Sequence, residues 1–145
     1  MPVPVSDDTP SPLLLLLPLL SRFLTPPAHL FARLTKTQLL IVTALSYHES
    51  FHMSQLASYL SFSKEQATRA AAPLVEAGLV ERFAQLENRT RVFLRLTADG
   101  KTLADELRAQ FSSQLKARVS ASLSEPEQLE LREAAETLVR LLSKI

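Results

Sequence analysis

SQLASYLSFSKEQATRAAAPLVEAGLVERFAQLENRTRVFLRLT, from Ser54 to Thr97, decides the fold. Ser54 to Leu60 reads as a short helix with Leu56, Ala57 and Leu60 on one face. Ser61-Phe62 breaks it. A second helix opens at Ser63, where Ser63 and Gln66 spell a capping box: each side chain satisfies a helix-end donor of the other. It carries Ala67, Ala70, Ala71 and Leu74 inward at the i, i+3, i+4, i+7 spacing of one buried stripe. Gly78 ends it, because the position past a helix end often needs positive φ. Leu79 to Ala84 and Arg91 to Leu96 then read as two strands around a polar tip, Gln85 to Thr90.

Helix, turn, helix and a basic hairpin form the layout of a winged helix-turn-helix. Such a unit sets its second helix in the DNA major groove and leans its hairpin on the neighbouring backbone. The runs LTKTQLLIVTALS, QLASYL, TRAAAPLVEAGLVER and ENRTRVFLRLTADGKTL, from about Leu34 to Leu107, resemble the MarR family of bacterial transcriptional regulators. The resemblance rests on Leu56-Ala57, Thr68-Arg69, Gly78 to Arg82 and the Leu96-Thr97-x-x-Gly100 run taken together. The family usually has Asp-x-Arg at its wing. Here the wing reads Asn88-Arg89-Thr90, which keeps one Arg and is followed by Arg91.

At 145 residues the chain is long enough to bury a core. Its formal charge of +1 does not by itself suggest nucleic acid. Locally, Lys64, Arg69, Arg82, Arg89, Arg91 and Arg95 stand against Glu65, Glu76, Glu81 and Glu87, a surplus of two in favour of the cations. With no Cys, disulfide scaffolds, thiolate zinc sites and cysteine-based sensing are excluded. The apolar run Leu13 to Leu20 has no basic segment before it, is interrupted by Pro18 and falls short of the roughly 20 residues a spanning helix needs. It is expected in a buried interface, and the protein in the cytoplasm, away from membranes.

The flanks complete an expected mainly α fold: a winged helix-turn-helix with a two-stranded β wing between N- and C-terminal dimerisation helices. The expected divisions are residues 1–34, a tail and dimerisation helix; 35–97, the DNA-binding unit; and 98–145, the C-terminal dimerisation helices. Met1 to Pro10 is expected to be loosely held. Ser11 suits an N-cap and Pro12 the first position of a helix to Leu24. A short helical piece is expected from Ala28 to Leu34. Thr35/Gln38 and Ser124/Glu127 spell two further capping boxes. Between them a long helix, capped by Thr97, carries Leu103, Leu107, Phe111, Leu115, Val119 and Leu123. The first and last helices hold more apolar surface than a monomer's surface helices need. Pairing with the same helices of a second copy covers it, giving a two-fold homodimer with reading helices about one turn of DNA apart.

His48-Glu49-Ser50-Phe51-His52 spells H-E-x-x-H, which in a metalloprotease places two zinc ligands and a base on one helix. Here the segment falls where one helix should end and another begin, no third ligand accompanies it, and no second lobe forms a cleft. A solvated loop anchored by Phe51 is the favoured reading. A metal-responsive regulator using His48 and His52 is an alternative, as is a winged-helix module for protein–protein contact without DNA. No nucleophile elbow or phosphate loop appears, so an enzyme is not expected, and neither is a cofactor.

The expected DNA contacts are Ser63, Lys64, Gln66, Ala67, Thr68 and Arg69 on the second helix, and Arg89 and Arg91 on the wing. Gln suits adenine edges, Arg suits guanine, and Ser and Thr suit phosphates or bases. Packing is the competing role for Ala67 and Thr68. The resemblance places Arg89 in a minor groove. Pro73 predicts a bend in the reading helix. The partners implied are double-stranded DNA with a pseudo-palindromic operator, a second copy of the chain and a small aromatic or anionic effector. Arg22, His29, Tyr47 and His48 are polar candidates for lining an effector crevice.

Overall fold

The computed structural model describes residues 12–23 and 33–145, without the side chains of Phe23, Asn88 and Arg89. The expected tail, the Ser11 cap and most of the Ala28 to Leu34 piece lie outside these residues. Arg33 and Leu34 are described, and neither is helical. The described elements are α1 (Pro12–Phe23), α2 (Lys36–Tyr47), β1 (Phe51–His52), α3 (Met53–Tyr59), α4 (Lys64–Glu76), β2 (Val80–Gln85), β3 (Asn88–Leu96), α5 (Ala98–Ser122) and α6 (Glu125–Leu142). No described helix is long and apolar enough to cross a membrane.

The chain divides into two compact units, residues 26–110 and residues 1–25 with 111–145. The first holds α2 to β3 and the start of α5. Its core joins Ile41, Val42 and Leu45 of α2, Leu56 of α3, Leu74 of α4, Val80 and Leu94 of the strands, and Leu103 of α5. The second unit holds α1, the rest of α5, and α6. None of its described residues is buried.

Four helix starts use one device. Thr35/Gln38, His52/Gln55, Ser63/Gln66 and Ser124/Glu127 each form a reciprocal capping box at α2, α3, α4 and α6. Three were legible from their Ser or Thr. At α6, the backbone N–H of Ser124, and then its hydroxyl, hold the Glu127 carboxyl below the usual carboxylate range. α4 continues through Pro73 to Glu76.

Two helix ends also share one device. At α4, Leu79 N–H donates to the Leu74 carbonyl and Gly78 N–H to that of Val75, with Gly78 at φ +73°. At α3, Phe62 N–H donates to the Ala57 carbonyl and Ser61 N–H to that of Ser58, with Ser61 at φ +55°. Both are Schellman ends, which require a left-handed residue. Ser61 thus sets the turn between α3 and α4.

The end of α4 locks onto the start of α5. Thr97 N–H donates to the Leu79 carbonyl at 3.0 Å, and the Thr97 hydroxyl donates to the carbonyl of Gly78. The same hydroxyl accepts Gly100 N–H at 3.1 Å, so Thr97 caps α5 as the sequence predicts. A Cβ on Gly100 would lie 2.0 Å from the Leu79 carbonyl oxygen. The Gly78 to Arg82 and Leu96 to Gly100 runs are therefore two halves of one joint.

The sheet has three strands, in the order β1-β3-β2, not the two expected. Phe51 pairs with Leu94 and His52 with Phe93, both antiparallel. Two residues are too few for an alternating pattern, so β1 left no signal in the sequence. Phe51 is buried as expected, and His48 to Ser50 form the expected loop; only Phe51 and His52 of that segment join the sheet edge. The hairpin is also longer than expected, with only Leu86-Glu87 left as its turn. Its ladder is regular from Val80↔Leu96 to Ala84↔Val92 and then jumps to Gln85↔Asn88. Arg89, Thr90 and Arg91 fall in that irregularity, with no residue of β2 opposite them. A bulge of this kind turns side chains out of the regular alternation.

Candidate nucleic-acid interface

The N-terminal half of α4 presents a polar face. Lys64, Gln66, Thr68 and Arg69 are exposed. The Thr68 hydroxyl donates to the Lys64 carbonyl at 2.8 Å. Ser63 and Gln66 are engaged with each other: Gln66 N–H donates to the Ser63 hydroxyl at 3.1 Å, and Ser63 N–H to the Gln66 amide oxygen at 3.0 Å. The Gln66 amide nitrogen keeps its two donors for an outside partner. Ala67 is fully buried and packs inward, which corrects its place among the expected contacts: it offers a duplex no exposed atom.

Between α4, the hairpin and the β1–α3 junction lies a groove of about 480 Å³. Lys64, Arg82 and Arg91 line it with the hydroxyl-bearing Ser54, Thr68 and Thr90, and among the described residues no Asp or Glu does. Three cations and three hydroxyls facing one channel match the chemistry of a phosphate chain. Arg82 and His52, both in this lining, were not among the expected contacts. Arg82 could have been found from its place directly after the left-handed turn and first strand residues. His52 was drawn instead into the H-E-x-x-H pattern.

The wing cations have different surroundings. Arg91 Nη1 lies 3.3 Å from His52 Nε2. Arg89 lies in the bulged part of β3 by its backbone, and its side chain is outside the described atoms. Arg95 is committed elsewhere: it pairs with Glu81 across the strands and stacks 4.3 Å from the Phe83 ring centroid. Of the three arginines between residues 89 and 95, Arg95 is thus neutralised locally.

H-E-x-x-H is not a helical pair of ligands. His48 is the C-cap of α2, and His52 is the N-cap of α3. The His48 ring packs against Phe51 and Tyr59, at centroid distances of 4.7 and 5.0 Å. His52 Nδ1 accepts the Gln55 N–H. Of the effector-crevice candidates, Tyr47 is exposed with the Arg108 guanidinium 5.3 Å from its ring, Arg22 is in the other unit, and His29 lies outside the described residues.

Residues 34–92 match the family model described as MarR family. By sequence, no curated protein matches the chain. Among solved structures, a mutant MarR from E. coli superposes with TM-score 0.71 at 18% identity, over 92% of this chain and 99% of that one. NadR, solved in complex with 4-hydroxyphenylacetate, gives 0.69 at 24% identity, over 94% and 97%. Streptococcus pneumoniae FabT, solved in complex with DNA, gives 0.62 at 19% identity, over 79% of each chain. The winged-helix segment, residues 34–92, thus matches the MarR family model, and the chain has the fold of these solved regulators.

Proposed function

We propose that the chain is a dimeric, sequence-specific DNA-binding transcriptional regulator. The observation that carries this reading is the groove between α4 and the hairpin, with Lys64, Arg82 and Arg91 and no acid among its described lining residues. α4 enters the major groove with Lys64, Gln66 and Arg69 toward the bases, and the hairpin follows the adjacent backbone with Arg89 and Arg91. FabT, of the same fold, is solved with DNA bound, which supports the reading.

Exposed apolar surface supports the dimer. In α1, Leu14, Leu15 and Leu17 are exposed, and in α6 so are Leu131, Val139, Leu141 and Leu142. A second copy covers these faces and supplies the second reading helix for a pseudo-palindromic operator. The family habit makes the regulator a repressor. Its inducer is a small aromatic or anionic compound, a class to which the 4-hydroxyphenylacetate of NadR belongs.

A mobility-shift titration against the DNA upstream of the protein's own gene tests this. Saturable binding that resists competitor DNA is the expected result, and its absence overturns the reading. In the same assay Arg89→Ala is expected to weaken binding and to lower the slope of log affinity against log salt by about one. An unchanged slope removes Arg89 from the interface.

A further inference from the structure

We propose that His52 and Arg91 form a two-donor seat for one phosphate oxygen of duplex DNA. The proposal rests on the DNA-binding reading above. It starts from a conflict in the hydrogen bonding of His52. Gln55 N–H donates to His52 Nδ1 at 3.2 Å, and His52 N–H donates to the Gln55 amide oxygen at 3.2 Å. A neutral imidazole has one N–H and one free lone pair. With Nδ1 accepting, the proton sits on Nε2. Nε2 is also the atom 3.3 Å from Arg91 Nη1, and a guanidinium has donors only. In this tautomer two N–H groups face each other.

The opposite tautomer moves the conflict without removing it. Arg91 then donates to Nε2, but Nδ1 carries the proton and turns an N–H toward the Gln55 N–H. The cap of α3 is lost. His52 alone cannot serve both neighbours. An anionic oxygen beside the pair serves all of them: it accepts from His52 Nε2–H and from Arg91 together, and the cap stays closed.

The surroundings choose the oxygen. Lys64, Arg82 and Ser54 share the groove, and among the described residues no carboxylate does. Such a lining suits the continuous charge of a phosphodiester chain. The seat lies where α3, α4 and the hairpin meet, the place a DNA backbone passes when α4 occupies the major groove. The His52 ring stands edge-on to Phe93, at 5.8 Å and 82°, so the aim of Nε2 is fixed before DNA arrives. Pre-set donors bind with less ordering cost than free ones.

The test uses the full chain and a mixed-sequence duplex of about 30 base pairs at low ionic strength, since phosphate contacts do not depend on sequence. Long-range ¹H–¹⁵N spectra of the free, neutral-histidine protein are expected to show His52 as the Nε2–H tautomer, with its Nε2 signal shifted by DNA. An Nδ1–H tautomer overturns the seat. His52→Asn keeps a good N-cap side chain and removes the donor that faces Arg91. It is expected to preserve the melting temperature and to weaken duplex binding about tenfold. Its salt slope should stay unchanged, because a neutral donor releases no counterion, whereas Arg91→Ala lowers the slope by about one. The double variant should lose less than the product of the two single losses. If His52→Asn lowers the melting temperature as well, independent losses in the double variant overturn the seat. Duplex binding unaltered by His52→Asn overturns the seat and leaves the DNA reading standing. A wild-type chain that binds no duplex overturns both.

Discussion

The two units treat the same kind of residue in opposite ways. Every described buried hydrophobic side chain, from Leu34 to Ala104, belongs to residues 26–110. In the other unit Leu17 is 65% exposed and Val139 67%, although both sit on well-formed helices. The unit of residues 26–110 closes a core of its own, and the terminal unit leaves its described apolar faces exposed, where the proposed dimer would cover them. Burying a leucine is worth about 1.5–3 kcal/mol. In the proposed dimer, several per copy would offset an association cost on the order of 4–15 kcal/mol.

That contrast predicts two separable failures. Leu17→Glu or Val139→Glu should leave the reading unit folded and abolish the dimer, as read by sedimentation. DNA affinity should then fall by about 10²–10⁴-fold, the loss expected when two linked heads become independent. A dimer that survives both substitutions breaks the comparison. Gly100→Ala should do the reverse and strike the fold. Its Cβ would lie 2.0 Å from backbone at Leu79, which no side-chain rotation relieves. A stability loss above about 3 kcal/mol in urea unfolding is expected. An alanine variant of near-native stability would show that the α4–α5 joint has slack.

The same contrast marks what the sequence could say. Helical periodicity and Ser/Thr capping boxes placed α2, α4 and α6, because those signals are local and repeated. The excess of leucine in α1 is visible as a bare run of letters, and the exposure of Leu14, Leu15 and Leu17 matches the surplus of apolar surface read from it. What escaped was non-local or too short. β1 is two residues long and exists because β3 lies beside it. The bulge that displaces Arg89 to Arg91 depends on cross-strand register, which the turn-rich tip conceals. Ala67 lies on the stripe that its spacing gave it, so its burial was legible, while its nomination as a contact came from its neighbours. His52 was hidden by its company: a histidine N-cap is unusual, and His48 four residues earlier suggested metal chemistry.

Ser61 and Gly78 carry the smallest test and isolate one term. Both occupy the left-handed position of a Schellman end, at φ +55° and +73°. Glycine adopts that conformation without a Cβ penalty, and serine does not. Ser61→Gly should therefore stabilise the reading unit by up to about 1 kcal/mol, the gain being reduced by the freer unfolded chain. Thermal unfolding would show this as a rise of a few degrees, about 2–4 °C per kcal/mol at this size. Gly78→Ala should cost a similar amount in the other direction. A Cβ there meets nothing within 4 Å, so only the backbone term is left to act. If Ser61→Gly destabilises instead, the Ser61 side chain does something in the turn beyond occupying it.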